Sequence, residues 1–394
     1  MKTIYIPALL TGIENPIKRC LIPGNKFGLW NGYDPAWFTD LSVFQHPYVL
    51  VSYYYSGKIP NYRERLRIRP EVELWADSGG YSVFTQGAKI NPIEVLRWQE
   101  KNSNVAFTLD VPPASSENVG RVYPGKVQYH VLDEFEKCAE QTRKNTLFFQ
   151  ENRNSDKLKI YNIVQGYNKQ SLELWWDYVT NGIKLDGFGT GTKPTSNTLM
   201  QALCLMFLYS KGVRENVHLL GVSGITVIPL LVWVSQYIKK VTFDSTSYGY
   251  GSRTRAYMYP DKIREYTHFG KKYKTKIKPL TKLNCPCPIC TTVKTVDYFL
   301  ENDVTWPGLL LSLHNLWVTK KYVEDLERAI LISKEEFFKL SKQHVGNHYE
   351  SLLLSINFVE ECISKGFDVT YNKYFVNHEA EKRRFKQRKL TSYV

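Results

Sequence analysis

The chain has 394 residues and a mass of 45.8 kDa, enough for one large barrel with additions or for two domains. Its 43% hydrophobic and 14% aromatic content supplies a sizeable core and excludes a disordered chain. A net charge of +14, more than solubility asks for, points to a polyanionic partner, either nucleic acid or an anionic membrane surface.

The opening MKTIYIPALL lacks the long apolar core and small-residue cleavage site of a signal peptide. The uncharged stretch from Val217 to Ile238 approaches membrane length, but Gly221, Ser223, Gly224, Pro229 and Ser235 interrupt it. A buried strand followed by a buried helix explains it better than a bilayer span. The expectation is a soluble, cytoplasmic protein with no membrane partner. Of seven cysteines, three crowd into Cys285–Cys290 and four are scattered, unlike a disulfide framework.

Taken in order, apolar β-rich runs occur at Thr3–Pro7, Tyr48–Tyr54, Val72–Ala76, Val105–Leu109, Ile160–Val164, Leu185–Phe188, Val217–Val222 and Lys240–Phe243. Continuous apolar runs suit parallel strands buried on both faces. Helical patterns lie between many of them, at Pro92–Asn102, Gln128–Asn152, Gln170–Asn181, Thr198–Lys211 and Val227–Ile238. The alternation predicts an α/β fold, a (β/α)8 barrel. A doubly wound open sheet is the runner-up, and it would usually show an early glycine-rich phosphate loop.

Polar residues follow the strands. Asp77 follows the third, Asp110 the fourth and Gln165 the fifth. Gly187 to Gly191 overlap and follow the sixth, Gly221 and Ser223 end the seventh, and Asp244 ends the eighth. A barrel builds its active site from such positions at the carboxyl face. Asp77-Ser-Gly-Gly is also good turn chemistry, and Asp244 at a second strand end is what lifts it.

Two carboxyl groups suit the displacement of a base from a sugar, one as nucleophile and one as proton donor. Asp77, near Trp75, Tyr81 and Phe84, is the one to be held protonated by burial. Asp244, among Ser245, Thr246 and Ser247, is the one to stay ionised. Asp110 can accept from the N1–H and amine of guanine, or it is a turn aspartate before Val-Pro-Pro. Gln165 can donate to guanine O6, and Tyr81 can stack on a purine or belong to the core.

Beyond Asp244, Arg253 and Arg255 close a Tyr-, Gly- and Ser-rich stretch. Lys271–Lys282 holds six lysines, among them Lys271, Lys272 and Lys274, and no acid. These cations suit phosphate contacts. Cys285, Cys287 and Cys290 pack three thiolates into one loop, and His314 from a later helix would complete a closed Cys3His site for a structural Zn2+. His314 could equally be a core histidine, and the other seven histidines show no ligand spacing. Val296–Leu300 and Leu309–Ser341 read as helices. The tail from Tyr371 has seven basic residues against two acidic ones and is either a phosphate contact or a solvated helix. The organisation expected is one barrel domain over 1–394, with a zinc-binding subdomain at about 271–320 and a basic helical part at about 321–394.

In this order, Asp77-Ser-Gly-Gly-Tyr81-x-Val-Phe84, Phe107-Thr-Leu-Asp110, Ile163-Val-Gln-Gly166, Gly187-Phe188, Leu220-Gly-Val222, Phe243-Asp244 with Arg253 and Arg255, Cys-x-Cys-x-x-Cys and Leu313-His314-Asn315 resemble the tRNA-guanine transglycosylase family. The resemblance covers roughly residues 72–316. It implies a zinc-containing (β/α)8 barrel that exchanges guanine for a 7-deazaguanine. It implies Asp244 as the covalent nucleophile and Asp77 as the general acid/base. Asp110, Gln165 and the Gly189–Gly191 backbone would read the base edge, Tyr81 would stack on it, and the cysteines with His314 would bind zinc. Ser82 and Thr192 depart from the family's usual glutamine and second glycine, and the first 70 residues lack the tRNA enzymes' pattern. No appended RNA-binding domain of the archaeal type is evident. These departures look more like the DNA-modifying (DpdA-type) branch of phages and bacterial modification clusters, acting in the host cytoplasm if phage-encoded. DNA is therefore the expected partner, with tRNA as the alternative and a non-catalytic nucleic-acid-binding subunit as the second. A homodimer or partner proteins are left open.

Overall fold

Eight parallel strands pair in sequence order and close on themselves, β1 against β8, in the computed structural model. It describes residues 2–9, 17, 30–80, 82, 90–113, 132–191, 197–222, 224–269, 283–300 and 306–377. The strands are β1 Thr3–Leu9, β2 Tyr48–Ser52, β3 Glu73–Asp77, β4 Val105–Phe107, β5 Lys159–Val164, β6 Gly187–Thr190, β7 Val217–Leu219 and β8 Val241–Ser245. All seven residues of β1 are buried, as a strand covered on both faces requires. The (β/α)8 barrel read from the sequence is the observed fold.

The longer helices between strands are α1 Pro92–Asn102, α2 Leu132–Asn152, α3 Lys169–Thr180, α4 Thr198–Ser210 and α5 Ile228–Val234. Side chains set their starts. Asn91 caps α1 by accepting from the Ile93 N–H at 3.2 Å, and Asn168 and Ser171 form a capping box on α3. The barrel interior is filled by Ile4, Ile6, Leu50, Trp75, Phe107, Tyr161 and Ile163, which leaves no pore.

After β8 the chain forms the short helix α6 Tyr250–Thr254 and then an antiparallel hairpin, β9 Ala256–Tyr259 and β10 Lys262–His268, absent from the sequence reading. Helices α7 Pro288–Val293, α8 Trp306–Ile332, α9 Lys334–Val345 and α10 Tyr349–Lys365 follow. The helix expected over Leu309–Ser341 is two helices. Ser333 interrupts it and caps α9, accepting from the Glu336 N–H at 3.1 Å. Helix α5 stops at Val234, short of the expected Ile238, where the chain turns into β8. Helix α8 packs beside β1 and α5, and Glu327 on it accepts the Thr3 N–H at 2.6 Å.

Candidate active site and metal centre

Strand ends bring the acids together. Asp77 is the last residue of β3, on the same inward face as Trp75 two residues before it. Ser52 pairs with it in register across β2 and β3. Burial pushes the Asp77 carboxyl up to about 6. The Ser52 hydroxyl and the N–H groups of Gly79 and Ser78 oppose the rise, and the charge of Asp244 adds to it. Gly79 takes φ +83°, and a Cβ there would lie 2.7 Å from Tyr54 Cβ. A Cβ on Gly80 would come within 2.9 Å of Asp110 Oδ1. The glycine pair therefore lets the exit of β3 pass against Asp110.

Asp110 lies just beyond β4. Gln165, directly after β5, donates through Nε2 to Asp110 Oδ2 at 2.8 Å. Burial pushes Asp110 up to about 7, against the pull of Gln165 and with the charge of Asp77 adding to the rise. Gly191, after β6, leaves room that any side chain would take from the Gln165 amide, and its N–H donates to the Val164 carbonyl at 3.1 Å. Gly189 sits inside β6, where a Cβ would meet Ile163 Cδ1 at 2.7 Å.

Asp244 is within β8 and 5% exposed. The Gly221 N–H donates to its Oδ1 at 2.7 Å, and the Val222 N–H donates to its backbone carbonyl at 2.9 Å. Gly221 takes φ +65°, the left-handed turn that aims its N–H back at β8. His218 Nε2 is 3.2 Å from the same Oδ1, and its Nδ1 is 2.8 Å from Thr242 Oγ1. Sequence reasoning passed over His218. The available signal was strand alternation, because a polar residue in the middle of a buried strand beside Asp244 needs a polar partner. Asp77 ends β3, Asp110 follows β4 and Asp244 lies near the end of β8, so the parallel barrel sets the three acids at its one carboxyl-end mouth.

Arg253 lies exposed in the last turn of α6. Arg255 caps that helix at φ +51°, and its Nη1 donates to the Phe299 carbonyl at 3.3 Å. Tyr81, Thr192, Ser223, Lys271, Lys272 and Lys274 lie outside the described residues, as does the tail beyond Asn377.

Cys285, Cys287, Cys290 and His314 converge, all buried, with their ligand atoms within 4.8 Å of one another. His314 Nδ1 is 3.3 Å from Cys287 Sγ and 3.5 Å from Cys290 Sγ. A tetrahedral zinc ion with ordinary Zn–S and Zn–N bonds sets such pairs about 3.6 Å apart. His314 Nε2 donates to the Met258 carbonyl at 2.9 Å, which leaves Nδ1 free to bind an ion. The cluster could therefore hold zinc. The next residue, Asn315, accepts the Met258 N–H at 2.9 Å and donates to the Ala256 and Tyr248 carbonyls at 3.0 and 3.2 Å. The cluster is thus tied to the segment that leaves Asp244.

No family model matches the chain. Its sequence is similar to proteins named tRNA-guanine(15) transglycosylase. The one from Methanococcus maripaludis (strain C6 / ATCC BAA-1332) is 23% identical over 329 residues, covering 79% of this chain and 46% of the relative. That from Pyrococcus abyssi (strain GE5 / Orsay) is 28% identical over 151 residues, covering 37% and 23%. That from Pyrococcus furiosus (strain ATCC 43587 / DSM 3638 / JCM 8422 / Vc1) is 27% identical over 158 residues, covering 38% and 24%. The chain spans less than half the length of these curated relatives. Among the described residues, no helix is long and apolar enough to cross a membrane. With an eight-stranded barrel and a Cys3His cluster beside it, these similarities support placing the chain in the tRNA-guanine transglycosylase superfamily.

Proposed function

We propose that the protein is a DNA-guanine transglycosylase. It exchanges guanine for a 7-deazaguanine, such as 7-cyano-7-deazaguanine, through a covalent Asp244–sugar intermediate. One observation carries the reading. A carboxyl pushed up to about 6, Asp77, shares a mouth with a second, Asp244, whose Oδ1 is held by a backbone N–H.

In the first half-reaction an Asp244 oxygen bonds to the anomeric carbon as the bond from that carbon to the base nitrogen breaks. The electron pair leaves with the base, and protonated Asp77 supplies a proton to it. In the second half, Asp77 takes a proton from the incoming base. The freed nitrogen bonds to the anomeric carbon, and Asp244 departs as a carboxylate.

Asp110 accepts from the N1–H and amine of guanine, Gln165 donates to O6, the Gly189–Gly191 backbone borders the base, and Tyr81 stacks on it. The base must leave the duplex stack or be caught single-stranded, at a cost of a few kcal/mol. Arg253, Arg255, Lys271, Lys272 and Lys274 hold phosphates. Zn2+ bound by Cys285, Cys287, Cys290 and His314 is structural, because four protein donors leave no open coordination position.

Ser82 and Thr192, where the tRNA enzymes usually carry other residues, support DNA as the polymer. The second reading, tRNA, is favoured by the names of the relatives. Incubation with labelled guanine and duplex DNA, single-stranded DNA or tRNA separates the two. Label in DNA is expected. Label in tRNA alone would replace the first reading with the second, and label in none would leave a nucleic-acid-binding subunit.

A further inference from the structure

We propose that His218 is a positioning residue for Asp244: it grips Oδ1 together with the Gly221 N–H and leaves Oδ2 as the atom that attacks the sugar. The inference rests on the transglycosylase reading and adds a residue and an atom to it.

The ring of His218 is fully buried inside the barrel, where its centroid lies 5.0 Å from that of Trp75 and 4.9 Å from that of Phe107. Such an apolar bed disfavours an imidazolium, and burial lowers the basicity of His218. A neutral imidazole carries one N–H. The carboxylate can only accept, so the proton belongs on Nε2, facing Asp244 Oδ1 at 3.2 Å. Nδ1 then accepts from the Thr242 hydroxyl at 2.8 Å. That hydroxyl also lies 3.2 Å from the Val217 carbonyl, the longer of its two contacts. A relay results, from Thr242 O–H to Nδ1 and from Nε2–H to Oδ1.

Thr242 and Asp244 are two residues apart on β8 and so face the same way, inward. His218 pairs with Thr242 in register on β7. Gly221, from the turn that follows β7, donates to the same Oδ1 at 2.7 Å. Two donors from one strand and its turn thus fix one carboxylate oxygen. Among the described residues no hydrogen bond is made to Oδ2.

When Oδ2 forms the ester with the anomeric carbon, the base leaves with its bonding pair and the Asp77 proton. Oδ1 becomes the ester carbonyl oxygen, still facing both donors. In the second half the pair returns to the carboxylate as the new base bonds to the sugar, and the two N–H groups stabilise the charge that reappears. The donors therefore act on turnover and do not touch the base.

The test uses wild-type protein, His218→Phe, His218→Gln and Thr242→Val, with labelled guanine and whichever polymer the wild type labels. His218→Phe keeps a ring against Trp75 and Phe107 but removes the donor, and kcat should fall by roughly ten- to hundredfold. KM for guanine should stay within about twofold, because the base edge is untouched. His218→Gln, which restores an N–H, should recover part of the loss. Thr242→Val, which removes the group that orients the ring, should lower kcat by roughly threefold or more. Should His218→Phe fail to fold, Thr242→Val and His218→Gln decide between the same outcomes. Wild-type kcat in these variants, or a raised KM with unchanged kcat, would overturn the role of His218 alone. A wild-type protein that labels no polymer would overturn the underlying reading, and the inference with it.

Discussion

Asp77 and Asp110 share surroundings that penalise charge, and the two consequences are opposite in kind. In the role proposed for Asp110, the form that accepts from guanine is the ionised one. With its carboxyl pushed up to about 7, acid competes with the base for it. KM for guanine should therefore fall as pH rises through about 7. Asp110→Asn should raise KM by roughly tenfold and flatten its pH dependence, as steady-state exchange assays would read. For Asp77 the consequence is stability. Between the ordinary carboxyl value of ~3.9 and its raised value of about 6, the folded state keeps a proton that the unfolded chain has released. Its contribution is thus fully present at low pH and is lost as pH rises through about 6. Asp77→Asn, uncharged at all pH, should melt a few degrees above wild type at pH 8. Near pH 4 that advantage should vanish, which thermal unfolding at both pH values would measure.

All eight strands were legible because a parallel strand covered on both faces must be apolar throughout, as β1 is. Asp77, Gln165 and Asp244 were legible because each breaks such a run at its end. The β9–β10 hairpin was not. Its register shifts between Lys262 and Tyr266, so the alternation that marks a half-buried strand is lost, and charges at Lys262, Arg264 and Glu265 hide the rest. Nor could the sequence reveal that Gly191 must lack a side chain to make room for Gln165, because that contact exists only across two paired strands. The cysteine loop was legible from spacing, His314 was named with it through the Leu313-His314-Asn315 resemblance, and the fold brings the four together. That hairpin links the cluster to the active-site side, since Met258 on β9 meets both His314 and Asn315. Removing the metal with a strong chelator should lower Tm by on the order of 10 °C and reduce exchange, and added zinc should restore both. Unchanged melting after verified metal loss would contradict a structural ion.

For the whole molecule, a barrel supplies the frame, and in the proposed function a net charge of +14 supplies the long-range attraction to a polyanion. Charge alone does not choose between DNA and tRNA, since both present phosphates. The choice rests on residues that meet the base and its neighbours. In the proposed mechanism the chemistry is common to both polymers and passes through Asp244 on β8. The most direct test is therefore exchange of labelled guanine by wild type and by Asp244→Asn, with duplex DNA, single-stranded DNA and tRNA side by side. The account predicts label in DNA with wild-type protein and a loss of at least roughly a thousandfold with Asp244→Asn. An Asp244→Asn protein that still exchanged base at a comparable rate would contradict it.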